Sequence, residues 1–534
     1  EADRAGLLSA DGLRMLAEAA WWSGEPDVVI DTLERTYAAY LKEGDRTAAA
    51  MAAFELARQN AMRMAHPVAG GWFAQAERLA GEIPESAVHG YLAWMRGFMA
   101  GMQGDLDAAA AHNSEALEIA ARTNDRNLQT MSLYDKGWLL CSQGKPAEGM
   151  AAMDEAMVAV VGQEIDPIPT GYIYCGMIAS CTRLADYRRA AEWTEATTRW
   201  CDRNSITGFP GICRVHRAQI MRLRGAFPTA EEEARRACEE LPRFNFVYGL
   251  GYAFAEIGEI RRRMGDFAGA EEAYGRAHEY GGNPEPGRSL IRLAQGKLDA
   301  AASGVRRRLA EEKDPLSRVQ PLVAQAEIAI AAGEVETAAA AADELESIAE
   351  LYGAALPTVA AGVRGTVRLA QGDAEGAVPD LRMALHGWQE IDAPYEAAEI
   401  RVQLGRAYHA VGDEDAAQME LQAARSTFER LGARWAEGRT TDLLNELMPA
   451  ATTTQRVKRT FMFTDIVKST DLVGAIGVAA TTCSYRDVIE SDLVVLFGAD
   501  VANAQPVFMK YLYLARKSGT KVLVVNPLRE PGLE

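Results

Sequence analysis

Seven cysteines stand among 534 residues and none forms a CxxC pair, which leaves no zinc-ribbon or thioredoxin-like spacing. Six of them (Cys141, Cys175, Cys181, Cys201, Cys213 and Cys238) lie in apolar helical patterns, and Cys483 lies near the C-terminal end. Reduced, packed thiols are the expectation, and with them a cytoplasmic compartment. The chain has no uninterrupted apolar run of membrane-spanning length, so no membrane role is expected. GxxxxGK[ST], HExxH and GxSxG are missing too, which removes the commonest phosphate-loop, zinc-protease and hydrolase readings. Basic charge is short. The net charge is −19, and residues 451–534 carry 10 Lys/Arg against 8 Asp/Glu, so residues 1–450 hold −21. An acidic body of that kind lacks the clustered Lys/Arg that nucleic-acid phosphates require. The ends at Glu1 and Glu534 suggest a fragment.

Hydrophobic residues make up 48% of the chain, and most of them follow a beat of about forty residues. "GMQGDLDAAAAHNSEAL", "RRMGDFAGAEEAYGRA", "LAQGKLDAAASGVRRRL" and "HAVGDEDAAQMELQAA" share one plan: a helix ending at Gly, one or two polar residues, then an Ala-rich helix. The marking glycines are Gly24, Gly104, Gly144, Gly225, Gly265, Gly296, Gly333, Gly372 and Gly412, with Met64 and the pair Leu184-Ala185 in the two slots without one. Gly closes a helix in the left-handed conformation, and the acidic residue after it sits at the positive start of the next. In the clearest copy, Ala255, Ile257 and Ile260 precede the turn, and Ala268, Ala270, Ala273 and Tyr274 follow it on the packing face. One such hairpin cannot bury its apolar face alone, so neighbours must stack.

The fold expectation is a mainly α protein: a tetratricopeptide-like α-solenoid of about eleven helical hairpins with a small, incomplete α/β C-terminal segment. The parts are a solenoid over 1–448, a linker over 449–458, and two short pieces, 459–478 and 479–534. Such an array predicts local contacts and an elongated form, with a protein or peptide partner on its concave face. His66, His89, His112, His216, His278, His386 and His409 show no metal-ligand spacing; Cys213 and His216 share a helix and could in principle pair on a metal, but a helix-packing pair is the expectation. Trp21, Trp22, Trp94, Trp193 and Trp200 read as packing between hairpins.

"YIYCGMIASCTRLADYRRAAEWTEATTRWCDRN" and "EIDAPYEAAEIRVQLGRAYHAVGDEDAA" resemble the tetratricopeptide region of bacterial signalling regulators of the LuxR and nucleotide-cyclase kinds. Past the basic linker, "FMFTDIVKSTDL" resembles the first strand and turn of class III adenylyl/guanylyl cyclases. That resemblance implies Asp465 as a ligand of Mg²⁺ or Mn²⁺ and Ile466 as a carbonyl ligand. Val467, Lys468, Ser469 and Thr470 would lie near the phosphates of ATP or GTP. The match ends near Gly477, before a second metal-binding Asp or any base-recognising pair, so cyclase turnover is not expected from this chain. From about Ala479, "SDLVVLFG" and "TKVLVVNP" flank a helix-like stretch in a βαβ pattern. The stretch resembles a segment of molybdopterin-dependent, formate dehydrogenase-like oxidoreductases. Gly498, Asp500, Asn526 and Pro527 would approach the nucleotide end of the pterin cofactor there. Both pieces are incomplete, which points to a junction of unrelated stretches near 477–480.

Overall fold

The computed structural model describes residues 7–204, 212–448, 460–464, 493–497 and 521–525. It divides into two compact units, Glu1–Thr440 and Thr441–Glu534.

The first unit is a run of helical hairpins. They are α1 (Ala10–Trp22) with α2 (Pro26–Glu43), α3 (Arg46–Met62) with α4 (His66–Ala80), α5 (Ala87–Met102) with α6 (Leu106–Thr123), and α7 (Arg126–Ser142) with α8 (Pro146–Val161). Next come α9 (Pro167–Arg183) with α10 (Tyr187–Arg203), α11 (Ile212–Leu223) with α12 (Phe227–Glu240), α13 (Gly249–Met264) with α14 (Phe267–Glu279), and α15 (Gly287–Ala294) with α16 (Leu298–Glu311). The last three are α17 (Pro315–Ala332) with α18 (Val335–Tyr352), α19 (Leu356–Ala370) with α20 (Ala374–Glu390), and α21 (Pro394–Ala410) with α22 (Glu414–Leu431). A single helix, α23 (Arg434–Leu447), follows. This is the expected tetratricopeptide-like α-solenoid, eleven hairpins among the described residues. The shortest beat, between Gly265 and Gly296, comes from α15, only 8 residues long.

The turns form for local reasons. At Gly265 the amide donates to Arg262 O at 3.1 Å and the next amide, Asp266, to Arg261 O at 2.9 Å. This pair of bonds satisfies two of the four carbonyls left open at the end of α13. The carboxylate of Asp266 then accepts from Gly269 N at 3.0 Å and starts α14. Asp105, Asp186, Asp373 and Asp413 cap the following helices in the same way. Met64 and Ala185 make the same closing bonds at φ 66° and 57°, so the two slots without Gly keep the turn and carry the strain of a side chain in the left-handed region.

The odd-numbered helices pack against the odd helix of the next hairpin, from α3 through α21, and thus make one inner layer. The even helices cover it from outside with narrow Ala-rich stripes, such as Ala270, Ala273 and Ala277 on α14. Small residues permit the closest approach: a Cβ on Gly137 would meet Gly149 O at 2.6 Å, locking α7 to α8. In the clearest copy Ile257, Ile260, Ala270, Ala273 and Tyr274 are buried as expected, but Ala255 is half-buried and Ala268 is exposed.

Contacts are not confined to neighbours. Trp21 meets Phe244 edge to face at 5.6 Å between ring centres, and Val247 N donates to Met62 O at 3.0 Å. Arg183 pairs with Asp314 at 2.6 Å, Arg263 with Glu396 at 2.6 Å, and Phe267 packs on Trp435 at 5.8 Å. These partners stand roughly four or five hairpins apart and join the ends of earlier hairpins to later inter-hairpin turns. The expectation of purely local contacts therefore fails. The array coils, and polar and aromatic residues at the hairpin ends bind one coil to the next.

In the second unit, β1 (Thr460–Thr464), β2 (Leu493–Phe497) and β3 (Lys521–Val525) form one parallel sheet in the order β1-β2-β3. Thr460 lies opposite Leu493, and Leu493 opposite Lys521. The strand from the cyclase-like stretch thus pairs directly with the first strand of the βαβ-like stretch.

Candidate functional site

The inner helices carry an acid among aromatic rings. Asp135, on α7, accepts from Trp94 Nε1 of α5 at 2.5 Å through one oxygen and from Tyr172 OH of α9 at 2.7 Å through the other. Trp94 meets Tyr172 edge to face at 5.8 Å and stacks on Phe98 at 6.2 Å, while Tyr134 meets Tyr172 edge to face at 5.9 Å. Trp94 and Tyr134 are buried, Asp135 and Tyr172 half-buried, and Phe98 is 44% exposed. Desolvation pushes the Asp135 carboxyl up to about 6, against the two hydrogen bonds that favour its ionised form. Among the described residues no Lys or Arg pairs with it.

Further along the inner layer, Glu259 bonds Arg262 at 2.7 Å, Arg263 at 2.9 Å and Tyr274 OH at 3.2 Å. Burial alone would raise its carboxyl, but the two guanidinium groups hold it well below the usual carboxylate range. Arg263 also pairs with Glu396 and lies 4.7 Å over the Tyr395 ring, and Arg439 pairs with Glu399. Glu327 on α17 is exposed, yet desolvation raises its carboxyl. Tyr252, on α13, is 53% exposed and its hydroxyl is likewise raised by desolvation.

A separate cavity of about 430 Å³ opens between α12, α13 and α14, lined by Arg235, Cys238, Arg261, Phe254, Arg276 and Tyr280 among others. Its cations are largely engaged: Arg235 and Arg261 share Glu231, and Arg276 lies 4.0 Å over Phe254. Burial raises the Cys238 thiol to about 11, which makes it a poor nucleophile.

Cys213 does not pair with His216 on a metal. It is bonded to Cys175, 38 residues earlier, while His216 contacts Gln219 and desolvation lowers its pKa. The two cysteines lie about one repeat apart on the neighbouring inner helices α9 and α11. For this pair the expectation of reduced thiols is therefore overturned; Cys141, Cys181, Cys201 and Cys238 are free. No group of His, Cys, Asp and Glu suited to a metal occurs among the described residues, and no described helix is long and apolar enough to cross a membrane.

The residues singled out by resemblance, Asp465, Ile466, Val467, Lys468, Ser469, Thr470, Gly498, Asp500, Asn526 and Pro527, all lie outside the described residues, as does the 449–458 linker. Asp465, Gly498 and Asn526 each directly follow a described strand, β1, β2 and β3 in turn. Trp94, expected to pack between hairpins, does so and also holds Asp135. Asp135 itself went unnoticed. Its signal was an acid in "LYDKGWLL", a stretch otherwise patterned for a buried helix.

No protein-family model matches the chain, and no curated protein matches it. Solved structures similar to it include a chain of the APC/C hetero-tetramer Cut9-Hcn1, at 12% identity, covering 82% of this chain and 97% of that one with a TM-score of 0.39. The TPR domain of P58(IPK) is 14% identical, covering 79% of this chain and 99% of that one with a TM-score of 0.21. The solenoid assignment rests on the hairpins themselves and takes nothing from likenesses this distant.

Proposed function

We propose that the helical array is a protein-interaction scaffold whose inner face receives an extended segment of a partner. The observation that carries this reading is that the inner layer is not sealed. Phe98, Tyr252 and the 71% exposed Met102 stand open on α5 and α13, and Trp94, on which Phe98 stacks, holds the Asp135 carboxyl. Large apolar residues left open beside fixed polar groups are the composition of a binding surface. A photo-crosslinking residue placed at Phe98 or Tyr252 should capture a partner protein in the native host, while one at Val158 or Val161, exposed on the outer helix α8, should not. Equal capture at both faces would refute the reading.

The finer reading is regulation of a class III nucleotide cyclase, supported by "FMFTDIVKSTDL" beyond the array and by β1 ending one residue before Asp465. In a complete relative Asp465 and Ile466 would hold Mg²⁺ or Mn²⁺, and the turn 467–470 would face the triphosphate of ATP or GTP. This chain offers one candidate carboxylate where the chemistry uses two metal ions. It should therefore release no cyclic nucleotide from ATP or GTP with Mn²⁺, and turnover abolished by Asp465→Ala would refute that. The cytoplasmic expectation rests on reduced thiols, and the Cys175–Cys213 bond is the observation against it.

A further inference from the structure

We propose that Asp135, with Trp94, Phe98 and Tyr172, forms a receptor on the inner face for an alkylammonium group, delivered by a lysine side chain of the partner. The proposal rests on the inner-face reading and names what that face selects. Three successive inner helices build the receptor. The acid comes from α7, the indole that orients it and the open phenyl ring from α5, and the phenol that completes it from α9. An ionised carboxylate offers about four acceptor positions. Trp94 and Tyr172 take one on each oxygen and fix the plane of the group, leaving the remaining positions unused by any bond among the described residues. Electron-rich ring faces beside an oriented anion attract a cation twice, through charge and through the ring quadrupole.

The bland alternative is a polar plug holding three helices together. Two features argue against it. A plug needs no charge: an Asn could accept from Trp94 through its oxygen and donate to the Tyr172 oxygen, with no desolvated anion. In addition, the other buried acids of the inner layer come with their cation. Glu259 has Arg262 and Arg263, and Glu256 has Arg222. Among the described residues Asp135 takes two aromatic donors and pairs with no Lys or Arg, and Trp94, one of those donors, stacks on the exposed ring of Phe98. The surrounding body, at −21 over residues 1–450, favours approach of a basic segment.

The test uses the full chain labelled with 5-fluorotryptophan, with the Trp94 resonance assigned by its loss in Trp94→Phe. Three probes are titrated: a blocked pentapeptide with one central Lys among Gly, the same peptide with norleucine, and spermidine. The Lys peptide should shift the Trp94 resonance and bind at least tenfold tighter than the norleucine peptide. Asp135→Asn should lower that affinity at least tenfold with its melting transition intact, and Phe98→Ala several-fold. Raised salt should weaken the Lys peptide alone, a response that a plug would not give. Equal binding of the Lys and norleucine peptides, or unchanged binding in Asp135→Asn, overturns the proposal. So does a shift with spermidine and none with the Lys peptide, which would make the ligand a free polyamine. Partner capture at Phe98 that survives Asp135→Asn undiminished would remove the cation receptor and leave the inner-face reading standing.

Discussion

The outer and inner helices of the array are built from the same alphabet and put to different uses. On α6 a single narrow stripe is buried: Ala109, Asn113, Ala116, Ile119 and Ala120. On its neighbour α7 the buried set runs almost around the helix, from Leu128, Thr130, Met131, Ser132 and Tyr134 to Gly137, Leu139, Cys141 and Ser142. An outer helix touches protein on one side and can be specified by spacing and small size. An inner helix is flanked by its hairpin partner and by two other inner helices, so each polar residue on it must find a partner across a gap that spacing does not reveal. Local rules make the outer layer, and pairings distant in sequence make the inner one.

The difference should break most visibly at Gly137. Substitution by Val puts branched carbons against Gly149 O and Met153, and overpacking of this order costs about 1–3 kcal/mol or more. We expect loss of the cooperative transition or a drop of several degrees in melting temperature, whereas Ala at the exposed Val158 of the outer helix α8 should leave it within error. An equal or larger loss is expected of Arg263→Met, which strips Glu396 of its bonded cation and Glu259 of one of two. Leaving a buried charge unpaired costs about 3–5 kcal/mol in other proteins, and chemical denaturation at pH 7 would read the loss. The double variant with Glu396→Gln should recover part of it.

Asp135→Asn should move the other way. A folded carboxyl at about 6, above its ordinary 3.8, means the folded state holds its proton more tightly than the unfolded chain. Its stabilising effect is present below pH 4 and is lost as pH rises through 6, amounting to roughly 2–3 kcal/mol by linkage. Asn removes that loss, so the variant should be more stable than the parent at pH 7 and not at pH 4. A variant less stable at pH 7 would show that the carboxylate is held by more than Trp94 and Tyr172.

The smallest effects belong to the turns. Asp373→Ala removes a cap worth about 1 kcal/mol. Met64→Gly should instead gain up to about 1 kcal/mol, because the left-handed backbone at φ 66° no longer carries a side chain. Neither should alter partner capture on the inner face.

These magnitudes follow how visible each feature was in the sequence. The hairpin turns could be read at Gly104 or Gly372 because every determinant lies within six residues, and even Met64 and Ala185 betrayed themselves by position. The bonds of Arg183 to Asp314 and Arg263 to Glu396 span more than a hundred residues, and no repeat pattern encodes them. The Cys175–Cys213 bond was readable in principle from its one-repeat spacing, yet six cysteines in apolar helices look alike until the inner layer is known. Asp135 was obscured for the opposite reason: a lone acid in an apolar stretch is ordinary until Trp94 and Tyr172 arrive from helices some forty residues away on either side.

The fastening of one coil to the next has a consequence for how this chain can change over time. A solenoid with contacts only between neighbours can gain or lose a repeat by duplication or deletion and remain a solenoid. Here the insertion of a single hairpin between Arg183 and Asp314 would carry the two residues out of reach, and would do the same to every other fastening that straddles it. The number of hairpins is thereby a conserved quantity of the fold, as teeth are of a gear. New specificity must come from exchanging residues on the inner helices and not from copying modules.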